Sequence, residues 1–364
     1  MDIPAPVIAA LDLADAVIEP AGGSSATVWR VRTGSGVRLV VKTLAERHGL
    51  VDGHDLETFV RKPHQIAAVH RELPGLSPYY TSVVGCWCGP GWAAYAMPHH
   101  DGQAITRQLN GPRPDVEGFL RDIGATLRVL TEAGYARRSW PAPPGHFAVT
   151  HLDRVRRRLP MLRRHLPARL LAGPVVVNRR RCRSLPRLLA EVGADSTLLA
   201  ALQPGRLAFP VHGDLNLGNL LARRGAPDPD FTVLDPRGGL TPWDPIYDVA
   251  KSLFSLTSFE RAITRGLVID RVIRAGSHAD EYTVSFADDR ESYLSAAERF
   301  IGILDNLPYF RTLDQVDPNW RTRMRFAHAF HCLAESACRL SDRKDRAFGA
   351  VRGWDACEIG RAHV

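Results

Sequence analysis

Between Phe209 and Leu256 the chain reads FPVHGDLNLGNLLARRGAPDPDFTVLDPRGGLTPWDPIYDVAKSLFSL, and this stretch leaves little freedom in how it folds. A strand-like FPVH leads into the polar loop GDLNLGN. LLAR and FTVL then read as two short strands about a turn at PDPD, because β-branched and apolar runs are bounded there by Pro, Asp and Gly. The second strand delivers Asp235 back beside the loop whose ends carry Asp214 and Asn219. Two carboxylates and an amide thus converge on one hairpin. Hard oxygen ligands of this kind suit Mg2+, which takes few protein ligands and completes its shell with phosphate oxygens and water. His212, taken alone, is more readily explained as a structural histidine than as a reactive one.

The N-terminal quarter shows a second pattern. AGGSSATVWRVRTGSGVRLVVKTL, from Ala21 to Leu44, predicts a small-residue loop (Gly22 to Ser25), a strand TVWRVR, a turn at Gly34 and Gly36, and a strand VRLVVKTL carrying Lys42. A helix follows from Leu56 to Leu73, its apolar period set by Phe59, Ile66, Val69 and Leu73, with Pro63 starting or kinking it. Two more strands are expected at TSVVG (81 to 85) and WAAYAM (92 to 97), and Pro98 ends the sheet. Beyond Gly102 the periods are helical, as in EGFLRDIGATLRVLTEAG (117 to 134) and the late RTRMRFAHAFHCLAESACRL. WPAPPG (140 to 145) is a rigid loop, and the Arg-rich block after it is expected to be helix with loops. The fold class is therefore α+β: an N-terminal antiparallel sheet lobe over 1–98 and a larger, mostly helical lobe over 99–357. The closing EIGRAHV (358–364) matches an in-frame sequencing adapter, GAG ATC GGA AGA GCA CAC GTC, and is expected to be a non-native tail.

Length and composition narrow the function classes. With 364 residues, 45% hydrophobic and 24% charged, the chain can bury a large core and is not expected to be disordered. Its start lacks a basic n-region and carries Asp2, Asp12, Asp15 and Glu19, so no signal peptide is read there, and no apolar run could span a bilayer. A cytoplasmic protein without membrane contact is expected. The six cysteines are scattered, without CxxC pairs, and read as free thiols; Cys86 and Cys88 share one strand face and are expected to pack in the core. The net charge of +8 is concentrated: Arg137 to Arg187 holds fourteen arginines and one acid, whereas Ser277 to Trp320 holds nine acids and three arginines. Without interleaved aromatics, the basic block favours a solvated face over a nucleic-acid surface, which stays a lesser alternative.

Phosphoryl transfer asks a protein for positioning, charge neutralisation and a group to take the hydroxyl proton. Asp214 fits the proton acceptor. Asn219 and Asp235 fit the metal holders, the neutral amide adding no repulsion near a triphosphate, and Lys42 would supply a cation to the α and β phosphates. These segments also resemble a known family. HGDLNLGN matches the H-x-D-x-x-x-x-N signature of the aminoglycoside phosphotransferase and choline kinase superfamily, LDPRG occupies the place of its metal aspartate, and WDPIYDVAK is similar to its G-D-P-x-Y-D-L-A helix. The match is firm from Phe209 to Leu256, looser from Ala21 to Gly102 and diffuse elsewhere.

The resemblance implies a protein-kinase-like two-lobe fold and an O-phosphotransferase moving the terminal phosphoryl group of ATP or GTP to a small-molecule hydroxyl, with Mg2+. It makes Asp214 the catalytic base, Asn219 and Asp235 the metal holders, and His212 and Asp248 supports of the catalytic loop. Ser24 and Ser25 fall on its phosphate-covering loop. Tyr95, Ala96 and Met97 fall on the hinge that receives the nucleotide base through main-chain groups. Glu57, rather than Glu72, is expected to partner Lys42. One departure stands out: Pro236, Arg237 and Gly238 follow the metal aspartate where many members have an aromatic and then Gly or Glu. Arg237 would face an anion or form an ion pair, which loosens the link to a cationic aminoglycoside; a sugar, a sugar-containing antibiotic or a related metabolite is the expected acceptor class. A nucleotide-binding regulator without turnover is the alternative to an enzyme.

Overall fold

The computed structural model describes residues 2–22, 26–46, 54–110, 112–165, 168–222, 230–263, 267–272, 280–286 and 291–341. Ser24, Ser25 and the EIGRAHV tail lie outside them. The chain divides into two compact units, each assembled from separate stretches: Met1–Arg107, Arg121–Ser139 and Ala208–Trp243 in one, Gln108–Leu120, Trp140–Leu207 and Asp244–Val364 in the other. The 208–243 hairpin falls in the same unit as the N-terminal sheet.

In the first unit, period-two alternation builds the sheet. Strands β1 (Val17–Gly22), β2 (Thr27–Arg32), β3 (Arg38–Ala45), β4 (Gly85–Gly89) and β5 (Trp92–Pro98) run antiparallel in the order β1-β2-β3-β5-β4. On one face Val31, Leu39, Val41, Ala94 and Ala96 pack against Ile3, Val7 and Leu13, the last three from helix α1 (Ala5–Ala10) and its flanks. On the other face Leu44, Ala93, Tyr95 and Met97 pack with Phe59, from helix α2 (Leu56–Glu72). Lys42 shares parity with Val40 and Leu44, so alternation places it on the α2 side. Asp55 starts α2: its side chain accepts the Thr58 amide at 2.7 Å. Pro63 is accommodated inside the helix rather than starting it.

Three expectations are corrected here. The strand predicted at 81–85 begins only at Gly85, and TSVV is irregular. Cys86 and Cys88 do share a face of β4, but it is the exposed one; Trp87, between them, packs on the core. FPVH is not a strand either: pairing stops at Ala208, which exchanges main-chain hydrogen bonds with Trp243 at 2.8 and 2.9 Å. A second, small antiparallel sheet sets Leu220–Ala222 between Phe231–Val233 and Gln103–Ala104.

The second unit is mostly helical. Helix Ile246–Phe254 is buried almost all round, as expected of a helix at the centre of its own core. Helices Asp153–His165 and Trp320–Ser341 pack against its neighbourhood: Arg154 donates to the Tyr247 hydroxyl at 2.7 Å, and Lys251 meets Glu335 at 3.4 Å, both deeply buried. The Arg-rich block is not helix throughout. Val175–Val177 and Arg180–Cys182 form a hairpin in a four-stranded sheet with Leu267–Val272 and Asp280–Phe286. Its two-residue turn puts Asn178 and Arg179 at φ 48° and 66°, the left-handed pair such a turn demands.

Candidate active site

His212 organises the loop it precedes. Its Nε2 donates to the Leu234 carbonyl at 2.8 Å, and its Nδ1 accepts the Asp214 amide at 3.1 Å, which defines a neutral ring protonated on Nε2. The ring is fully buried. It therefore ties the Asp214 loop to the residue just before Asp235. Gly213, at φ +76°, makes the turn between them, and a Cβ there would come within 2.8 Å of the Arg237 Cβ.

Inside the loop, main-chain and side-chain bonds fix Asn219 against Asp214. The Asn219 amide nitrogen donates to the Asp214 carbonyl at 2.8 Å, leaving its oxygen as the group to offer a cation. The Leu234 amide donates to the Asn219 carbonyl at 2.9 Å, and the Arg237 amide to the His212 carbonyl at 2.8 Å, so both sides of the Asp235 segment are laced to the loop. Asn216 donates to the Asp214 carboxylate at 3.1 Å.

Asp235 is held in the left-handed region, at φ 54°, a conformation an aspartate tolerates at a cost and one that is common at functional sites. Three groups reach its Oδ1: Lys62 Nζ at 2.8 Å, Lys42 Nζ at 3.1 Å and the Tyr95 hydroxyl at 3.0 Å. Oδ2 carries none of these three contacts. Burial by itself would raise the Asp235 pKa, but the two ammonium groups outweigh it and hold the carboxyl well below its usual range. Burial lowers Lys42, with Asp235 opposing, and raises the Tyr95 phenol, with Asp235 adding to the rise. Asp235 is thus a carboxylate at any ordinary pH.

Not every residue expected here arrives. Glu57 is exposed and pairs with Arg61, one turn along α2, so it is no partner for Lys42; Glu72 pairs with Arg71 and Arg138. The inward face of α2 instead presents Lys62. Tyr95, Ala96 and Met97 lie in β5 between β3 and β4, with Lys42 opposite Tyr95 and Val41 opposite Ala96, so their main-chain groups belong to the sheet and not to a hinge. Pairing with β3 ends at Pro98, and the His99 amide still donates to the Arg38 carbonyl at 3.0 Å. Tyr95 contributes its hydroxyl instead. Asp248 lies fully buried in the first turn of helix Ile246–Phe254. Arg237 stacks over the Trp243 ring at 5.7 Å.

Two residues on α2 escaped the sequence reading, Lys62 and Gln65. Gln65 is fully buried; its Nε2 donates to the Val211 carbonyl at 2.8 Å and its Oε1 accepts the Gly238 and Gly239 amides at 2.6 and 2.8 Å. The available signal was spacing: polar residues at 62 and 65 fall within the helical stripe of Phe59, Ile66 and Val69, where only apolar side chains are expected.

Fold and sequence together define a phosphotransferase. The chain belongs to the phosphotransferase enzyme family, whose profile matches residues 16–293. Among solved structures, the amicoumacin kinase hAmiN in complex with AMP-PNP, Ca2+ and Ami is similar at 11% identity and TM-score 0.51, covering 94% of this chain and 88% of that one. An aminoglycoside phosphotransferase from Streptomyces rimosus in complex with ADP and streptomycin matches at 15% identity and TM-score 0.46, over 88% and 97% of the two chains. An aminoglycoside-3'-phosphotransferase of type VIII matches at 20% identity and TM-score 0.43, over 70% and 84%. No curated protein matches the sequence. Among the described residues no helix is long and apolar enough to cross a membrane.

Proposed function

We propose that this phosphotransferase moves the terminal phosphoryl group of ATP or GTP to a hydroxyl of a sugar, a sugar-containing antibiotic or a related metabolite, with Asp214 as the base. The observation that carries this reading is the pair of ties made by His212, which hold Asp214 and the Asp235 segment together with Lys42 on the Asp235 carboxylate. Asp214 accepts the acceptor's proton as the oxygen attacks phosphorus. Lys42 offers positive charge to the phosphates, and the main-chain lacing of the loop keeps these groups in place without reorganisation during the reaction.

The donor set also fits a divalent cation. Asp235 is ionised, with one oxygen outside the three contacts described, and Asn219 has its amide nitrogen committed, so an anionic and a neutral oxygen are available on adjoining segments. Mg2+ held there by Asn219 and Asp235 would neutralise charge on the phosphate oxygens. The N-terminal sheet would form the nucleotide-binding lobe, and the helical part would bind the acceptor. Arg237, stacked on Trp243, would face the acceptor side of the loop.

The test is transfer from ATP and from GTP to a panel of hydroxyl acceptors, read by mass spectrometry for an added phosphate. Asp214→Asn should abolish transfer while nucleotide binding persists. Full transfer by that variant would remove Asp214 as the base.

A further inference from the structure

Helix α2 brings a second lysine to the carboxylate that Lys42 approaches. The helix has two acids, Glu57 and Glu72, and both are paired with arginines on its outer side. Its inward face carries Lys62, whose Nζ lies 2.8 Å from the same Asp235 oxygen that Lys42 approaches at 3.1 Å. Both lysine side chains are largely buried, 14% and 12% exposed. Two ammonium groups share one oxygen of Asp235, and Lys42 feels the repulsion of Lys62 as well as the attraction of Asp235 and Asp214. Like charges held this close in a largely buried setting repel each other, and an anion bound between them would relieve that repulsion.

The helix cannot easily withdraw Lys62. One turn further on, Gln65 bonds the Val211 carbonyl and the Gly238 and Gly239 amides. Gly238 approaches α2 so closely that a Cβ would fall 2.6 Å from the Thr58 carbonyl oxygen. Lys62 is therefore built into the site by its helix rather than carried on a loose surface chain.

We propose that Lys62 is a second phosphate-binding cation, which together with Lys42 takes the polyphosphate chain of the nucleotide. The proposal rests on the nucleotide-dependent reading above. An ammonium is a compact donor of three hydrogen bonds, suited to shared phosphate oxygens. An acid at this position would cancel the Lys42 charge, whereas a lysine doubles the attraction for a polyanion.

Equilibrium binding of ATP and of adenosine, without acceptor and without turnover, separates the possibilities. The variants are Lys62→Gln, Lys62→Arg and Lys62→Glu, each checked for an unchanged melting profile; Asp235 keeps Lys42 and Tyr95 in all three. Lys62→Gln should weaken ATP by about tenfold or more, the equivalent of one lost charged contact. Adenosine affinity should stay within about twofold. Lys62→Arg should restore most of the ATP affinity, and Lys62→Glu should weaken ATP more than Gln does. ATP affinity unchanged in Lys62→Gln would overturn the proposal, as would equal losses for ATP and adenosine, which mark a purely structural residue. Wild-type protein binding neither ATP nor GTP would overturn the nucleotide reading itself, and that is read before any variant.

Discussion

The side-chain oxygen of Gln65 accepts the Gly238 amide at 2.6 Å from a fully buried position in α2. Through its nitrogen the same side chain donates to the Val211 carbonyl, 146 residues away in sequence. One glutamine therefore clamps the segment before His212 to the segment after Asp235. Gln65→Leu fits the space but strands one carbonyl and two amides. Each buried orphan costs about 1–3 kcal/mol, so a loss of about 2–4 kcal/mol is expected in denaturant unfolding. Gln65→Glu can still accept both glycine amides but cannot donate to Val211. It should fall between wild type and Gln65→Leu.

Gly238 makes a stricter demand. Its φ of +89° is strained for any L side chain, and the Thr58 carbonyl occupies the place of a Cβ. Gly238→Ala should push α2 away from the Asp235 segment. Expected outcomes are destabilisation by about 2–4 kcal/mol and weakened nucleotide binding, measured by thermal unfolding with and without ATP. Gly36→Ala provides a comparison, since no atom lies within 4 Å of its Cβ position and only its φ of +84° resists.

In the helical unit Lys251 and Glu335 form a pair with only 3% and 4% of their side chains exposed. Lys251→Met should cost about 3–5 kcal/mol, because it removes a buried countercharge from the Glu335 carboxylate. The double variant Lys251→Met, Glu335→Leu should recover much of that loss, since removing both charges also removes their desolvation. Urea unfolding of the three proteins measures the difference.

His331 is buried and held neutral. Burial lowers its pKa well below 6.5, and Lys251, Arg154 and His151 lower it further, with the Tyr247 carbonyl opposing. Its Nε2 lies 3.3 Å from that carbonyl and its Nδ1 3.4 Å from the Arg154 guanidinium, which fits the Nε2-protonated neutral ring. Below about pH 6.5 the unfolded chain gains a proton that the folded one refuses, so stability falls as the pH drops. The contribution is about 1.4 kcal/mol per pH unit for this one site. Melting temperatures between pH 7 and pH 5 should therefore decline more steeply for wild type than for His331→Gln.

The HGDLNLGN loop, the FTVL strand and the close return of Asp235 were legible because each rests on contacts within a few tens of residues. The β2–β3 hairpin was legible for the same reason. The Val175–Cys182 hairpin was hidden by its arginines, which suit a solvent-facing strand edge as well as a helix. TSVVG looked like a strand on composition, yet regular pairing with β5 starts at Gly85, because the Thr81 amide bonds the Val233 carbonyl and the chain turns to β5 only at the Val84 amide. Cys86 and Cys88 were correctly placed on one face, but period two cannot say which face meets α1.

The sequence by itself determined that Asp214, Asn219 and Asp235 lie on one folded-back segment and that Lys42 lies on the second strand of a hairpin. Spacing and alternation are local properties, written in consecutive residues. Only the tertiary structure decided which group of α2 meets them. Lys62 and Asp235 are 173 residues apart, and their meeting depends on the rotation of a helix fixed by Phe59 packing under the sheet and Gln65 bonding two loops. A rotation of this kind is set by the sum of packing contacts. It replaced the expected acid with a lysine.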